Sequence, residues 1–140
     1  MFQHILLAAD GSKHSERAAE KAISIAKLVK NSKITLIQVI DELPSNFKML
    51  DEEMIPQKVT NEQKEKIYTI ETSVRKAGIT IEVKHLLGEP GPTIVREAND
   101  NDYDLVVIGS RGLNQFQQMV LGSVSHKVAK RVKVPVMIIK

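Results

Sequence analysis

The chain has 140 residues and a mass of 15.6 kDa, with 42% hydrophobic and 26% charged residues, the size and composition of one globular domain rather than of a disordered or low-complexity protein. It contains no cysteine, which removes disulfides, thiol catalysis and cysteine-ligated zinc, and no apolar run approaches the ~18 to 20 residues that a bilayer span needs. The net charge of +3 is modest and only five residues are aromatic, so a nucleic-acid groove built on base stacking is not expected. The N-terminal apolar stretch, Ile5 to Ala9, is too short for a secretory signal and lacks a basic start. The expectation is a soluble cytoplasmic protein of one domain, residues 1–140. Charge is uneven along it: from Leu105 onward there are six basic residues (Arg111, Lys127, Lys130, Arg131, Lys133, Lys140) and no acidic one. This excess suits an anionic partner, and equally a solvated helix face.

Strand-like and helix-like runs alternate. Ile5 to Ala9 is short and continuously apolar, as in a strand buried on both faces. Ser15 to Lys30 places Ala18, Ala22, Ile25, Ala26 and Val29 at helical spacing. Ile34 to Ile40 is a second strand. Asp41 to Val59 is polar, holds Pro44 and Pro56, and reads as a long surface loop. Thr60 and Gln63 have capping-box spacing before a helix carrying Ile67, Ile70, Val74 and Ala77, which Gly78 stops. Ile79 to Leu87 is a third strand. Gly91-Pro92 opens a short helix. Tyr103 to Ile108 is a fourth strand, Gly109 to Gly122 a glycine-containing loop, Ser123 to Val132 a helix, and Val134 to Ile139 a last strand.

This βαβαβαβαβ order predicts an α/β fold: a doubly wound, five-stranded parallel sheet with helices on both faces. Such sheets bind ligands at the carboxyl ends of the strands, where the strand order reverses. The segments expected there are Asp10 to Ser12, Val39 to Asp41, Gly88 to Gly91 and Gly109 to Arg111. The last strand is apolar on both faces and begins at Pro135, which suits an edge. An apolar edge invites pairing with another chain, so a homodimer through the C-terminal strand is expected.

The main chemical signal is Gly109-Ser110-Arg111-Gly112, followed after nine residues by Gly122-Ser123, between the most apolar strand and a helix. Glycines there would let backbone N–H groups approach an oxyanion and take positive φ, and a helix N-terminus adds a favourable field. The helix end alone contributes about 0.3–1 kcal/mol, whereas each hydrogen bond to a charged group adds about 1.5–3 kcal/mol, so several donors must converge. Gly112, Gly122, Ser123 and Ser125 could supply them, with Arg111 covering charge. The same spacing is also compatible with an ordinary strand-to-helix turn capped by Ser123. Asp10-Gly11-Ser12 likewise reads either as a capping turn or as a ligand contact.

The pattern Gly109-x2-Gly112-x9-Gly122-Ser123 resembles the ATP-binding signature of the universal stress protein family, Gly-x2-Gly-x9-Gly-Ser/Thr. Ile5 to Asp10, Val39-Ile40-Asp41 and Val134-Pro135-Val136 resemble that family's first, second and closing strands, so the likeness spans essentially the whole chain. It implies a Rossmann-like fold of the adenine nucleotide α-hydrolase-like kind and a regulatory, stress-responsive dimer that binds ATP, or AMP or ADP. It further implies that Ala8 and Asp10 sit beside the adenine and ribose, that the Val39 backbone reads the adenine edge, and that Ile108 and Gly109 touch the ribose. Arg111, Gly112, Gly122, Ser123, Val124 and Ser125 would hold the phosphates. A magnesium ion bridging those phosphates would have Asp10 as its nearby carboxylate.

His4, His14, His85 and His126 show no metal-binding spacing, although His14 and His126 each follow a proposed ligand loop. No P-loop, dinucleotide fingerprint or Ser-His-Asp arrangement can be placed. A phosphate cradle without an evident base or nucleophile favours binding over turnover. The alternatives are a slow ATPase or autokinase using Ser123 or Ser125, and a nucleotide-independent dimeric scaffold. Residues 110–121 are expected to be mobile without ligand and to close over it.

Overall fold

The computed structural model describes residues 2–40, 61–111 and 122–140. The expected loop at 41–59, the Thr60 cap, Gly112 and most of the expected mobile loop therefore lie outside the described residues. Nine elements follow in order: β1 (His4–Ala8), α1 (Lys13–Lys27), β2 (Lys33–Ile40), α2 (Asn61–Lys76), β3 (Thr80–Leu87), α3 (Pro90–Asp100), β4 (Leu105–Gly109), α4 (Ser123–Arg131) and β5 (Val136–Ile139). The strands form one parallel sheet in the order β3-β2-β1-β4-β5. The order reverses between β1 and β4.

Side chains alternate across a strand, and the core divides accordingly. Ile5, Leu7, Ile34, Leu36, Leu105 and Val107 face α1 and α2, where they meet Ala18, Ala22, Ala26, Ile67, Ile70 and Val74. Leu6, Ala8, Ile37, Val106 and Ile108 face α3 and α4, where they meet Ile94, Ala98 and Val128. The central strands are therefore buried on both sides, which is why they read as continuous apolar runs. Alanines on α1 let it lie close to the sheet.

Local chemistry sets the boundaries. α1 starts two residues before the sequence expectation because Ser12 caps it, its Oγ accepting from the Ser15 amide at 3.2 Å. It also ends earlier, at Lys27: the Leu28 and Val29 amides turn back to Ile25 and Ala26 carbonyls, Ser32 Oγ donates to the Ala26 carbonyl at 2.7 Å, and Asn31 takes φ 62°. Gly78 stops α2 as expected, with φ 78°. Tyr103 precedes β4 rather than joining it. Its hydroxyl instead donates to Glu97 Oε2 at 2.7 Å, with Lys84 Nζ bound to the same oxygen at 2.9 Å. Pro135 also stays outside its strand, yet its carbonyl accepts from the Val106 amide at 2.9 Å, a role that needs no N–H of its own. Among the described residues no helix is long and apolar enough to cross a membrane.

Leu7 lies on the central strand and is fully buried. Leu7→Ala should lower the unfolding free energy by about 2–5 kcal/mol in urea titrations, from lost transfer energy plus the cavity left behind.

Candidate functional site

α1 leaves the end of β1 on one face of the sheet, and α4 follows β4 on the other. Between the two departures the sheet opens into a crevice of about 540 Å³. Ala8, Asp10, Val39, Ile108, Gly109, Arg111, Gly122, Ser123, Val124 and Ser125 all line it. The structure thus brings together every candidate site residue except Gly112, which is outside the described residues.

Val39 is placed by strand geometry. The Ala9 amide donates to the Ile37 carbonyl at 3.1 Å, whereas the Ile40 carbonyl accepts from Gly88 at 3.1 Å on the opposite side. Amide directions alternate along a strand, so Val39, like Ile37, turns its N–H and C=O toward β1. β1 has ended by that level, and the Val39 amide edge faces the crevice.

Asp10 forms a tight turn rather than capping α1 directly: its Oδ1 accepts from the Ser12 amide at 2.9 Å. Gly11, at φ 88°, supplies the left-handed residue inside that turn.

The two described glycines of the signature, Gly109 and Gly122, act otherwise than by positive φ. Gly122 has φ −73° and ψ 167°, ordinary extended backbone, and stands at the N-cap of α4. Gly109 is a close-approach position: a Cβ there would lie 2.8 Å from His14 Cβ and 2.9–3.0 Å from the His14 carbonyl group. β4 can therefore end directly against the first turn of α1.

Ser110 splices three elements. Its N–H donates to the Ile139 carbonyl at 2.7 Å, and its own carbonyl accepts from the Gly122 amide at 2.8 Å and from Ser125 Oγ at 2.7 Å. Ser125 is 2% exposed, and its hydroxyl is committed to the Ser110 and Gly122 carbonyls. What remains toward the crevice is backbone. Among the described residues no side chain caps α4, whose first-turn N–H groups have no intrahelical acceptor. Ser123 itself is exposed.

The sequence reading gave no place in the crevice to Gln38, Gln63 or Lys66, which line it together with Ser110. Gln38 is 4% exposed and bridges two elements: Nε2 donates to the Gln63 carbonyl at 2.8 Å, and Oε1 lies 2.9 Å from His85 Nδ1. A carbonyl only accepts, so the amide nitrogen must face Gln63, and His85 must carry its proton on Nδ1. The one signal for this in the sequence was an amide inside an otherwise apolar strand. Of the six basic residues after Leu105, Arg111 lines the crevice. Lys130 and Arg131 occupy the last turn of α4, where they complement its dipole. Among the described residues no group of His, Asp and Glu is arranged to hold a metal ion by itself.

A doubly wound α/β protein with an amide-lined crevice at its switch point is thereby defined. The universal stress protein family model matches residues 1–140, and the chain belongs to that family. It is 32% identical over 149 residues to the universal stress protein YxiE of Bacillus subtilis, with all of both chains covered. The solved structure of MJ0577, a universal stress protein of Methanocaldococcus jannaschii, superposes with a TM-score of 0.85 at 30% identity, covering 100% of this chain and 96% of that one. A universal stress protein solved in complex with cAMP superposes at 0.74 with 26% identity, covering 99% and 97%.

His14 and His85 are both held below the ordinary histidine value of 6.5. Burial is the first cause in each, aided by Arg17 and Arg111 and opposed by Asp10 at His14, and aided by Lys64 and opposed by Glu71 at His85. The unfolded chain then binds these protons more readily than the native state. Their contribution to stability is present above pH ~6.5 and is lost as the pH falls below it. The urea midpoint should decline from pH 7.5 to about 5.5, and a His14→Asn, His85→Asn variant should show a flatter profile.

Proposed function

We propose that this protein is a cytoplasmic, regulatory adenine-nucleotide-binding protein whose crevice takes ATP, with AMP and ADP as related ligands. The observation that carries this reading is the convergence, at the switch point, of the Val39 strand edge beyond the end of β1 and the start of α4 at Ser123 to Ser125, which among the described residues no side chain caps. The Val39 edge offers a donor and an acceptor side by side, matching the complementary pair on an adenine. Ala8 and Ile108 provide an apolar floor beneath the base and ribose, and Gly109 lets the ribose approach β4. Asp10 stands where ribose hydroxyls would be accepted. The amides of Ser123, Val124 and Ser125, with Arg111 and the Gly112 segment, would hold the phosphates beside Gly122, whose own amide is given to the Ser110 carbonyl. The relative solved with cAMP supports an adenine nucleotide as the ligand class. The volume of about 540 Å³ suits a ligand of this size.

A magnesium ion fits this donor set modestly. It keeps several waters and needs one or two carboxylates plus phosphate oxygens, and among the described residues Asp10 is the carboxylate on the crevice wall. Bound there, it would neutralise phosphate charge.

Binding is favoured over turnover. Among the described residues the ionisable groups lining the crevice are Asp10, Lys66 and Arg111, and Ser125 turns its hydroxyl into the fold, which speaks against an autokinase role for it. The partly buried apolar edge strand β5 supports a homodimer of this unit, residues 1–140. Light scattering should give twice the chain mass; a monomeric mass at micromolar concentration would remove the dimer.

Calorimetric titration should show heat with ATP and AMP near one nucleotide per chain, with a rise in melting temperature. Gly122 has backbone angles that any residue adopts, so Gly122→Val should keep the fold while its side chain obstructs the amides. Affinity should drop by about tenfold or more, as expected when a charge-assisted hydrogen bond is lost. No heat and no stabilisation at millimolar ATP would remove the reading.

A further inference from the structure

One wall of the crevice comes from α2, an element outside the glycine signature. Gln63 and Lys66 lie three residues apart on that helix, which puts them on one face, and both line the crevice. Each is anchored at its base. The Gln63 carbonyl accepts from buried Gln38 at 2.8 Å. At Lys66 the backbone sits directly over the Asp10 turn: a Cβ on Gly11 would fall 2.9 Å from Lys66 Cβ and 3.0 Å from its carbonyl oxygen. Gly11 is thus required twice, for its φ of 88° and for this approach. The lysine stem therefore rises from a fixed point above the loop that carries Asp10, on the β2 side of the crevice. Arg111 follows β4 on the other side.

The charge pattern agrees with an anionic occupant. Among the described residues lining the crevice, two cations face one carboxylate. Lys66 enters none of the ion pairs formed among the described residues, which join Lys33 to Glu82, Arg75 to Glu71 and Lys84 to Glu97. An exposed, strongly hydrated ammonium on a clamped stem is suited to a flexible contact with phosphate oxygens.

Granting a nucleotide in the crevice, we propose that Lys66 is a second cationic contact for its phosphates, opposite Arg111, and that it makes the site prefer phosphorylated adenosine over adenosine itself. The helix contributes specificity for the anionic tail, while Val39 and the amides of α4 provide the rest of the grip. Because Lys66 is exposed, its worth is limited by solvent screening.

The test is a calorimetric comparison of adenosine, AMP and ATP on the wild type, Lys66→Met and Lys66→Arg, at low and high salt. Lys66→Met should weaken ATP by about three- to fivefold and adenosine by less than about twofold, and should reduce the salt dependence of ATP binding. Lys66→Arg should restore most of the loss. Equal affinities of wild type and Lys66→Met for ATP, or equal losses for ATP and adenosine, would overturn the assignment of Lys66 while leaving the crevice reading intact. Failure of the wild type to bind any of the three would instead bring down the crevice reading itself, and this inference with it.

Discussion

The reversal of strand order between β1 and β4 is the constraint on which the rest of this structure depends. Right-handed connections send α1 to one face of the sheet and α4 to the other, so no helix can cover the ground between the two strand ends. Among the described residues, the Val39 edge of β2 and the first amides of α4 are left facing a shared space. A polar crevice results from topology alone. The amino-acid sequence then decides how closely the surrounding elements approach it.

Three close approaches give the crevice its shape. Gly109 lets β4 end against the backbone of His14, Gly11 lets the Asp10 turn pass under Lys66, and Ser110 ties the ends of β4 and β5 to the start of α4. Ser125 completes that tie from inside the helix. Together these fix the N-terminus of α4 beside the last residue of β4. Gln38 plays the matching part on the other side, holding α2 and β3 to the strand that presents Val39.

The architecture was legible because its signals are strong and periodic. Ile5 to Ala9 and the run before Gly109 are apolar without alternation, which only strands buried on both faces sustain. The position of the crevice followed from the order of elements. The functions of particular residues were less legible, because they depend on what lies across space. Gly109 is expected to allow both close backbone approach and positive φ, and the approach the structure reveals is to His14, 95 residues earlier in the chain. Ser125 is expected among the phosphate contacts, and its hydroxyl binds carbonyls behind it, a direction that only the acceptor geometry reveals. Lys66 looked like any solvated lysine on a helix, since nothing in its neighbourhood of sequence shows that Gly11 lies beneath it. Boundaries shifted where a single side chain intervened, as at Ser12, Ser32 and Tyr103.

The central claim is that main-chain amides at the switch point, rather than a cluster of side chains, receive the nucleotide. Backbone amide chemical shifts followed by NMR during addition of ATP test it most directly, because they report on each N–H separately. The account predicts that the large perturbations concentrate at Val39 and at Ser123, Val124 and Ser125, with lesser ones at Asp10 and Gly109. Perturbations confined to the β5 edge or the C-terminal turn of α4, or their absence at saturating ATP, would contradict it.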